Sequence, residues 1–161
     1  MQKGKSSISW REKLEKKIQP KLVDLSLNWS KKMGTGKMLI PTPLLIDSTI
    51  KKIPKGKVVT VNNIRDYLAN EYKADTTCPL TTGIFLNIAA NTAEEDRSRG
   101  KTRVTPYWRV LKEGGKLNPK FPGGISKQAD YLEQEGLEII AGNGKDQYQV
   151  KHYDKKLVTL E

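Results

Sequence analysis

Two helix-start signals separated by a turn limit the fold of this sequence more than any other feature. Thr60 stands before Val61-Asn62-Asn63-Ile64, and Pro79 before Leu80-Thr81-Thr82-Gly83. Thr at an N-cap accepts a hydrogen bond from a free backbone N–H of the first turn. Pro is favoured at the first helical position, where its missing N–H is not needed. Ile64, Tyr67 and Leu68 then share one face of the first helix. Ile84, Phe85, Ile88 and Ala89 are expected to point inward from the second. Asn70 to Thr77 form a long turn between them. This spacing predicts a helix-turn-helix. A small α-helical core with no DNA role fits the same pattern.

Other local signals fill in the rest. Pro43 to Lys52 reads as a helix ahead of the Pro54-Lys55-Gly56 turn. Ser126 is expected to cap a helix running through Glu135, with Gly136 stopping it. Glu138 to Ile140 and Gln147 to His152 predict a β-hairpin around Ala141 to Lys145. Val104, Tyr107, Val110 and Leu117 suit a short extended segment. The expected fold class is mainly α with small β elements. It consists of a winged helix-turn-helix-like DNA-binding domain over residues 38–161 and a basic N-terminal arm over residues 1–37.

Charge supports that division. The chain has a net charge of +11. Residues 1–37 hold ten Lys/Arg and three Asp/Glu, whereas the rest of the chain holds nineteen and fifteen. A basic chain binds polyanions by releasing their counterions, even without reading bases. Within the arm, Ser9 and Glu12 form a capping-box pattern, and Trp10, Leu14 and Ile18 recur at helical spacing. Such a helix docks on the domain by its apolar stripe, tracks phosphates, or does both. Met33 to Lys37 reads as a flexible link.

The single cysteine, Cys78, excludes an intrachain disulfide and a cysteine-rich zinc site. It is read as a small structural residue. His152 lacks a partner pattern and is read as a surface or strand residue. No metal or cofactor is expected. No apolar run approaches the ~20 residues that span a bilayer, and no signal-peptide pattern opens the chain, so a cytoplasmic protein with no membrane partner is expected.

Pro106-Tyr107-Trp108-Arg109-Val110 sits where the alkylguanine-DNA alkyltransferases carry Pro-Cys-His-Arg-Val. Ile53-Pro54-Lys55-Gly56-Lys57-Val58-Val59-Thr60 precedes it, then Thr81-Thr82-Gly83-Ile84-Phe85-Leu86. Lys112 to Leu117, Gly123-Gly124 and Tyr131 to Gly136 follow, all in family order. Over roughly Ile40 to Gly136, about three fifths of the chain, the sequence resembles the DNA-binding and active-site domain of that family. It is most similar in logic to the alkyltransferase-like branch, which replaces the Cys with a bulky aromatic residue.

The resemblance implies a DNA-damage frame with its reactive pair removed. Tyr107 stands in the nucleophile's place and Trp108 in the base's. A phenol with a pKa near ~10 is a poor substitute for a thiolate, and an indole N–H is no base. Glu135 matches the family's relay Glu and is expected to keep a structural role. Arg109 matches its Arg and bridges to the helix-turn-helix or contacts phosphate. Tyr107 and Trp108, with Arg109 and Glu135, mark the expected base pocket. The two aromatics either line it, stacking on an extruded base, or plug it. Three departures stand out: Val61 in an aromatic place, Leu80 in the place of the intercalating arginine, and a charged insert from Thr92 to Arg103.

Thr60, Asn62, Asn63, Thr81, Thr82 and Asn87 are the short polar candidates for DNA contact, with Lys120 and Lys127 beside them. Arg97, Arg99, Lys101 and Arg103 add charge. The leading expectation is a non-enzymatic, monomeric protein that binds double-stranded DNA, recognises alkylated guanine and signals to repair proteins. An interaction or regulatory module that kept the fold is the alternative. An alkyltransferase using another nucleophile, such as Cys78, is the third reading.

Overall fold

The computed structural model describes residues 8–25, 36–144 and 147–161. Most of the Met33 to Lys37 link, and Lys145 of the expected hairpin turn, lie outside these residues. The helices are α1 (Trp10–Leu14), α2 (Pro43–Ile50), α3 (Val61–Glu71), α4 (Pro79–Ser98) and α5 (Gly124–Gln134). The strands are β1 (Lys21–Asp24), β2 (Lys37–Ile40), β3 (Val59–Thr60), β4 (Thr76–Thr77), β5 (Val110–Leu111), β6 (Ile139–Ala141) and β7 (Tyr148–Val150). The architecture is mixed: helices with three small sheets among the described residues.

The caps explain where the helices begin and end. Thr60 Oγ1 accepts from Asn63 N at 3.2 Å, and Asn63 Oδ1 accepts from Thr60 N at 2.9 Å. This reciprocal pair satisfies two free donors at the start of α3. Pro79 opens α4 as expected. Gly136, at φ 89°, ends α5: its N–H reaches Glu133 O and the N–H of Leu137 reaches Leu132 O. That is the paired bonding a left-handed glycine allows after a helix. The start of α5 differs from expectation, since Gly123 holds the N-cap and Ser126 lies inside the helix.

α4 is the larger surprise. It runs on through the charged insert to Ser98. Its second half keeps a buried stripe, with Thr92 and Ala93 against the core, so packing sustains the helix. Ile84 was expected inward but is 49% exposed, and Leu80 is 71% exposed. Leu86, Ala89, Ala90 and Ala93 carry the buried face instead. The segment expected to be extended at Tyr107 is a 3-10 turn over Tyr107–Arg109, and only Val110–Leu111 are strand.

The arm does not stand apart. β1 pairs antiparallel with β2, Lys21 opposite Ile40, and β2 pairs parallel with β4, Met38 opposite Thr76. A boundary at residue 37 therefore falls inside β2, the central strand of one sheet. α1 is shorter than its sequence pattern: Ser9 caps it, Leu14 is buried, and Ile18 lies beyond its end and is exposed. Arg11 bonds to Asp96 of α4, which fastens α1 to the second half of that helix. β3 pairs parallel with β5, joining the start of α3 to the 107–111 segment. β6 and β7 form the expected hairpin, Ile139 opposite Val150. The core runs through Ile46, Ile50, Ile64, Leu68, Leu86, Tyr107, Leu111 and Leu132. Among the described residues, no helix is long and apolar enough to cross a membrane.

Candidate nucleic-acid interface and aromatic centre

The 3-10 turn places Tyr107 and Trp108 side by side, and two carboxylates hold them. Tyr107 is 0% exposed, and its hydroxyl donates to Glu94 Oε1 at 2.8 Å. Tyr131 donates to the same oxygen at 2.8 Å, and Lys127 Nζ lies 2.8 Å from Glu94 Oε2. Trp108 Nε1 donates to Glu135 Oε2 at 2.6 Å. The rings interlock: Tyr107 meets Trp108 edge-on at 5.4 Å and Phe121 at 5.1 Å, while Trp108 lies 4.7 Å from Tyr131. Arg97 sits over Tyr131 at 4.5 Å and over Trp108 at 5.6 Å. Each polar atom of the pair is satisfied; Tyr107 is fully enclosed, while Trp108 also lines an open cleft beside α1.

Glu135 is the second node. Its carboxylate accepts from Arg109 Nε at 2.9 Å, Arg109 Nη2 at 3.0 Å and Gly56 N at 3.0 Å. Arg109 also donates to Ile53 O at 2.6 Å. One ion pair thus ties the loop ahead of α3 to the 3-10 turn and the end of α5. Gln128 completes the frame: its Nε2 donates to Trp108 O and Val110 O, and its Oε1 accepts from Asn118 N.

These contacts set the ionisation. Burial pushes the Tyr107 phenol up, and the hydrogen bond to Glu94 pushes it further. Tyr131 is pushed up to about 12 by the same two causes. Neither is an available nucleophile near neutral pH. Burial alone would raise Glu94 and Glu135. The hydrogen bonds donated by Lys127 and the two tyrosines hold Glu94 below the usual carboxylate range, and those from Arg109, Gly56 and Trp108 do so for Glu135. Carboxylates lowered by folding contribute stability that is complete above their unfolded pKa, ~4.3 for Glu, and is lost as pH falls through the lower folded value. The denaturant midpoint should therefore drop on acidification below pH ~4.5, and Glu94→Gln should lose less than the parent over that window. Equal acid losses in both proteins would count against the Glu94 node.

The predicted DNA-contact residues divide. Thr60 and Asn63 are occupied by the cap of α3. Asn62 accepts from Arg65 at 3.1 Å. Thr82 is buried and donates to Cys78 O at 2.7 Å. Thr81 Oγ1 is buried without a partner among the described residues, so it does not reach outward. Lys127 is paired with Glu94. Asn87, whose Oδ1 accepts from Asn91 Nδ2 at 3.2 Å and whose amide N–H groups remain, and Lys120 lie together on a cleft of about 420 Å³ between the first turns of α4 and the 118–121 loop. Val61, Leu86 and Phe121 give it an apolar lining, and Lys112 joins Lys120 at it. Tyr107, Trp108, Arg109 and Glu135 do not line this cleft; Trp108 and Arg109 face another, beside α1. Cys78 is buried at the N-cap of α4. Among the described residues, no cluster of ligating side chains could hold a metal ion.

Glu94, Gln128, Tyr131, Lys112 and Phe121 escaped sequence reasoning. A signal existed for some of them. Gln128, Tyr131, Leu132 and Glu135 lie on one helical stripe, as do Ala90, Ala93, Glu94 and Arg97. A polar residue inside an apolar stripe marks a buried network.

The chain is similar to two solved structures. One is S. pombe Atl1 in complex with damaged DNA containing O6-carboxymethylguanine, 20% identical with a TM-score of 0.48, covering 72% of this chain and 93% of that one. The other is S. pombe ATL in complex with DNA, 19% identical with a TM-score of 0.47 and the same coverage. No protein-family model and no curated protein matches the sequence.

Proposed function

We propose that this chain is a non-catalytic, monomeric protein that binds double-stranded DNA with the first turns of α4. It holds an altered guanine in the cleft beside them and signals to repair proteins. The observation that carries this reading is Gly83. It lies exposed inside α4, and a Cβ there would meet nothing within 4 Å. Glycine inside a helix costs about 1 kcal/mol relative to Ala. Nothing in the fold requires it, whereas the close approach of an external backbone would.

The surroundings fit. Lys112 and Lys120 offer charge to phosphates, Asn87 offers an amide, and the apolar lining suits the face of a base. Leu80 projects from the same turn, where apolar side chains of architectural proteins enter base steps. The buried, hydrogen-bonded Tyr107 supports an absence of transfer chemistry. Incubation with alkylguanine DNA should leave the protein mass unchanged, and a stoichiometric alkyl adduct on Tyr107 or Cys78 would overturn that part.

The exposed pair Leu80 and Ile84, one turn apart, favours a second reading: the same face docks a protein, and the chain is an interaction module. A titration separates the two. Duplexes with and without an O6-alkylguanine are titrated at about 50 mM and 200 mM salt. The reading expects affinity for both duplexes to fall steeply with salt and the modified duplex to bind more tightly. Equal affinities end lesion recognition. No binding to either leaves the interaction module.

A further inference from the structure

Two parts of the chain that match none of the family's segments, the N-terminal arm and the charged insert, meet. α1, from the arm, packs on the second half of α4, from the charged insert, and Arg11 bonds to Asp96 across the junction. Between them, the 101–106 segment and the end of α2 lies an open cleft of about 650 Å³. It is lined by Arg11, Lys51, Arg97, Lys101, Arg103 and Arg109, against the carboxylates of Asp47 and Asp96.

The ion pairs show which charges are spoken for. Lys51 pairs with Asp47 at 3.1 Å, Arg11 with Asp96 and Glu15, and Arg109 with Glu135. Lys101 lies 3.7 Å from Asp96, already held by Arg11. Among the described residues, Arg97 and Arg103 have no carboxylate partner. Arg97 Cζ lies 4.5 Å from the Tyr131 ring and 5.6 Å from the Trp108 ring, cation–π contacts that restrain the guanidinium, which makes no side-chain hydrogen bond among the described residues. A planar fork held in place suits bidentate recognition of a phosphate.

We infer that this cleft is a second nucleic-acid site, which holds backbone phosphates away from the face proposed above. Leu80 and Arg97 are separated along one helix by about 25 Å at 1.5 Å per residue, so contacts made at the first turn of α4 do not reach it. Two features select phosphate over an acidic peptide. The lining is more polar than apolar, its apolar part confined to Leu14, Val104, Pro106 and Trp108. Free cations on a chain of net charge +11 gain from counterion release by a dense polyanion. This inference rests on the proposed DNA binding and adds a second contact to it.

The full chain, an Arg97→Gln/Arg103→Gln double variant and an Arg103→Glu single variant are titrated against a short duplex of about 8 base pairs and a long one of about 24. The single variant leaves the aromatic stack intact, and thermal unfolding checks that both variants fold. The parent should bind the long duplex at least tenfold more tightly than the short one. Both variants should lose that gain, with short-duplex affinity within about twofold of the parent. The long-duplex salt slope should flatten by about 0.9 for each lost contact. Folded variants that keep the gain overturn the inference, as does an equal loss on both duplexes. So does a poly-glutamate peptide that competes for the cleft without changing the long-duplex gain. A parent that binds both lengths equally sinks the second site alone. A parent that binds neither sinks the proposed function as well.

Discussion

Replacing Glu135 with Ala should destabilise the fold by about 3–5 kcal/mol, because one partner of a buried ion pair disappears and the other stays. Arg109 would keep only its bond to Ile53 O. Trp108 Nε1 and Gly56 N would lose their acceptor as well. Leaving buried donors unmade costs more than a formed bond contributes. Urea unfolding of the two proteins measures the difference from the shift in midpoint at constant slope. Replacing Arg109 by Met together with Glu135 by Leu should recover much of the loss, since an apolar pair of similar volume leaves no stranded charge. A single variant within 1 kcal/mol of the parent would show that Glu135 is not the anchor of this region.

The second large effect concerns Trp108. Its truncation to Ala should cost about 3–5 kcal/mol, the range for a buried aromatic. It removes the contact with Tyr131, the bond to Glu135 and part of the platform under Arg97. Any preference for a modified guanine should survive in the molecules that remain folded, because Trp108 does not line the cleft beside the first turns of α4. The opposite result, little loss of stability with loss of preference, would mean that the aromatic pair receives the base. Losses from Trp108→Ala and Glu135→Ala should not add, since the two side chains touch.

Much of the helical frame was legible because its signals are local. Thr60, Pro79 and Gly136 each act on backbone groups within a turn of themselves, and each works as read. The Glu138–His152 hairpin was legible for the same reason. What failed depends on partners far along the chain. Lys21-Leu22-Val23-Asp24 is too short and too charged to announce a strand; its pairing with β2 makes it one. The end of α4 could not be placed because Thr92 and Ala93 owe their burial to tertiary packing. The inward assignment of Ile84 followed hydrophobicity, and the small residues Ala89, Ala90 and Ala93 took the packed face instead. The site suffered most from competition for side chains. Thr60, Asn63 and Thr82 have the chemistry to contact DNA, yet the helix starts consume it. A sequence shows donors and acceptors without showing which are already engaged.

The bond from Gly56 to Glu135 has a consequence for deuterium exchange. Amides in surface loops ordinarily exchange through small local openings, far from the free energy of global unfolding. The N–H of Gly56 lies in such a loop, but its acceptor is the carboxylate that also carries Arg109 and Trp108. Freeing it means opening the junction between the loop, the 3-10 turn and the end of α5 together. This one loop amide should therefore exchange at the pace of the helix interiors, while the amide of Lys55 beside it exchanges at the pace of the surface.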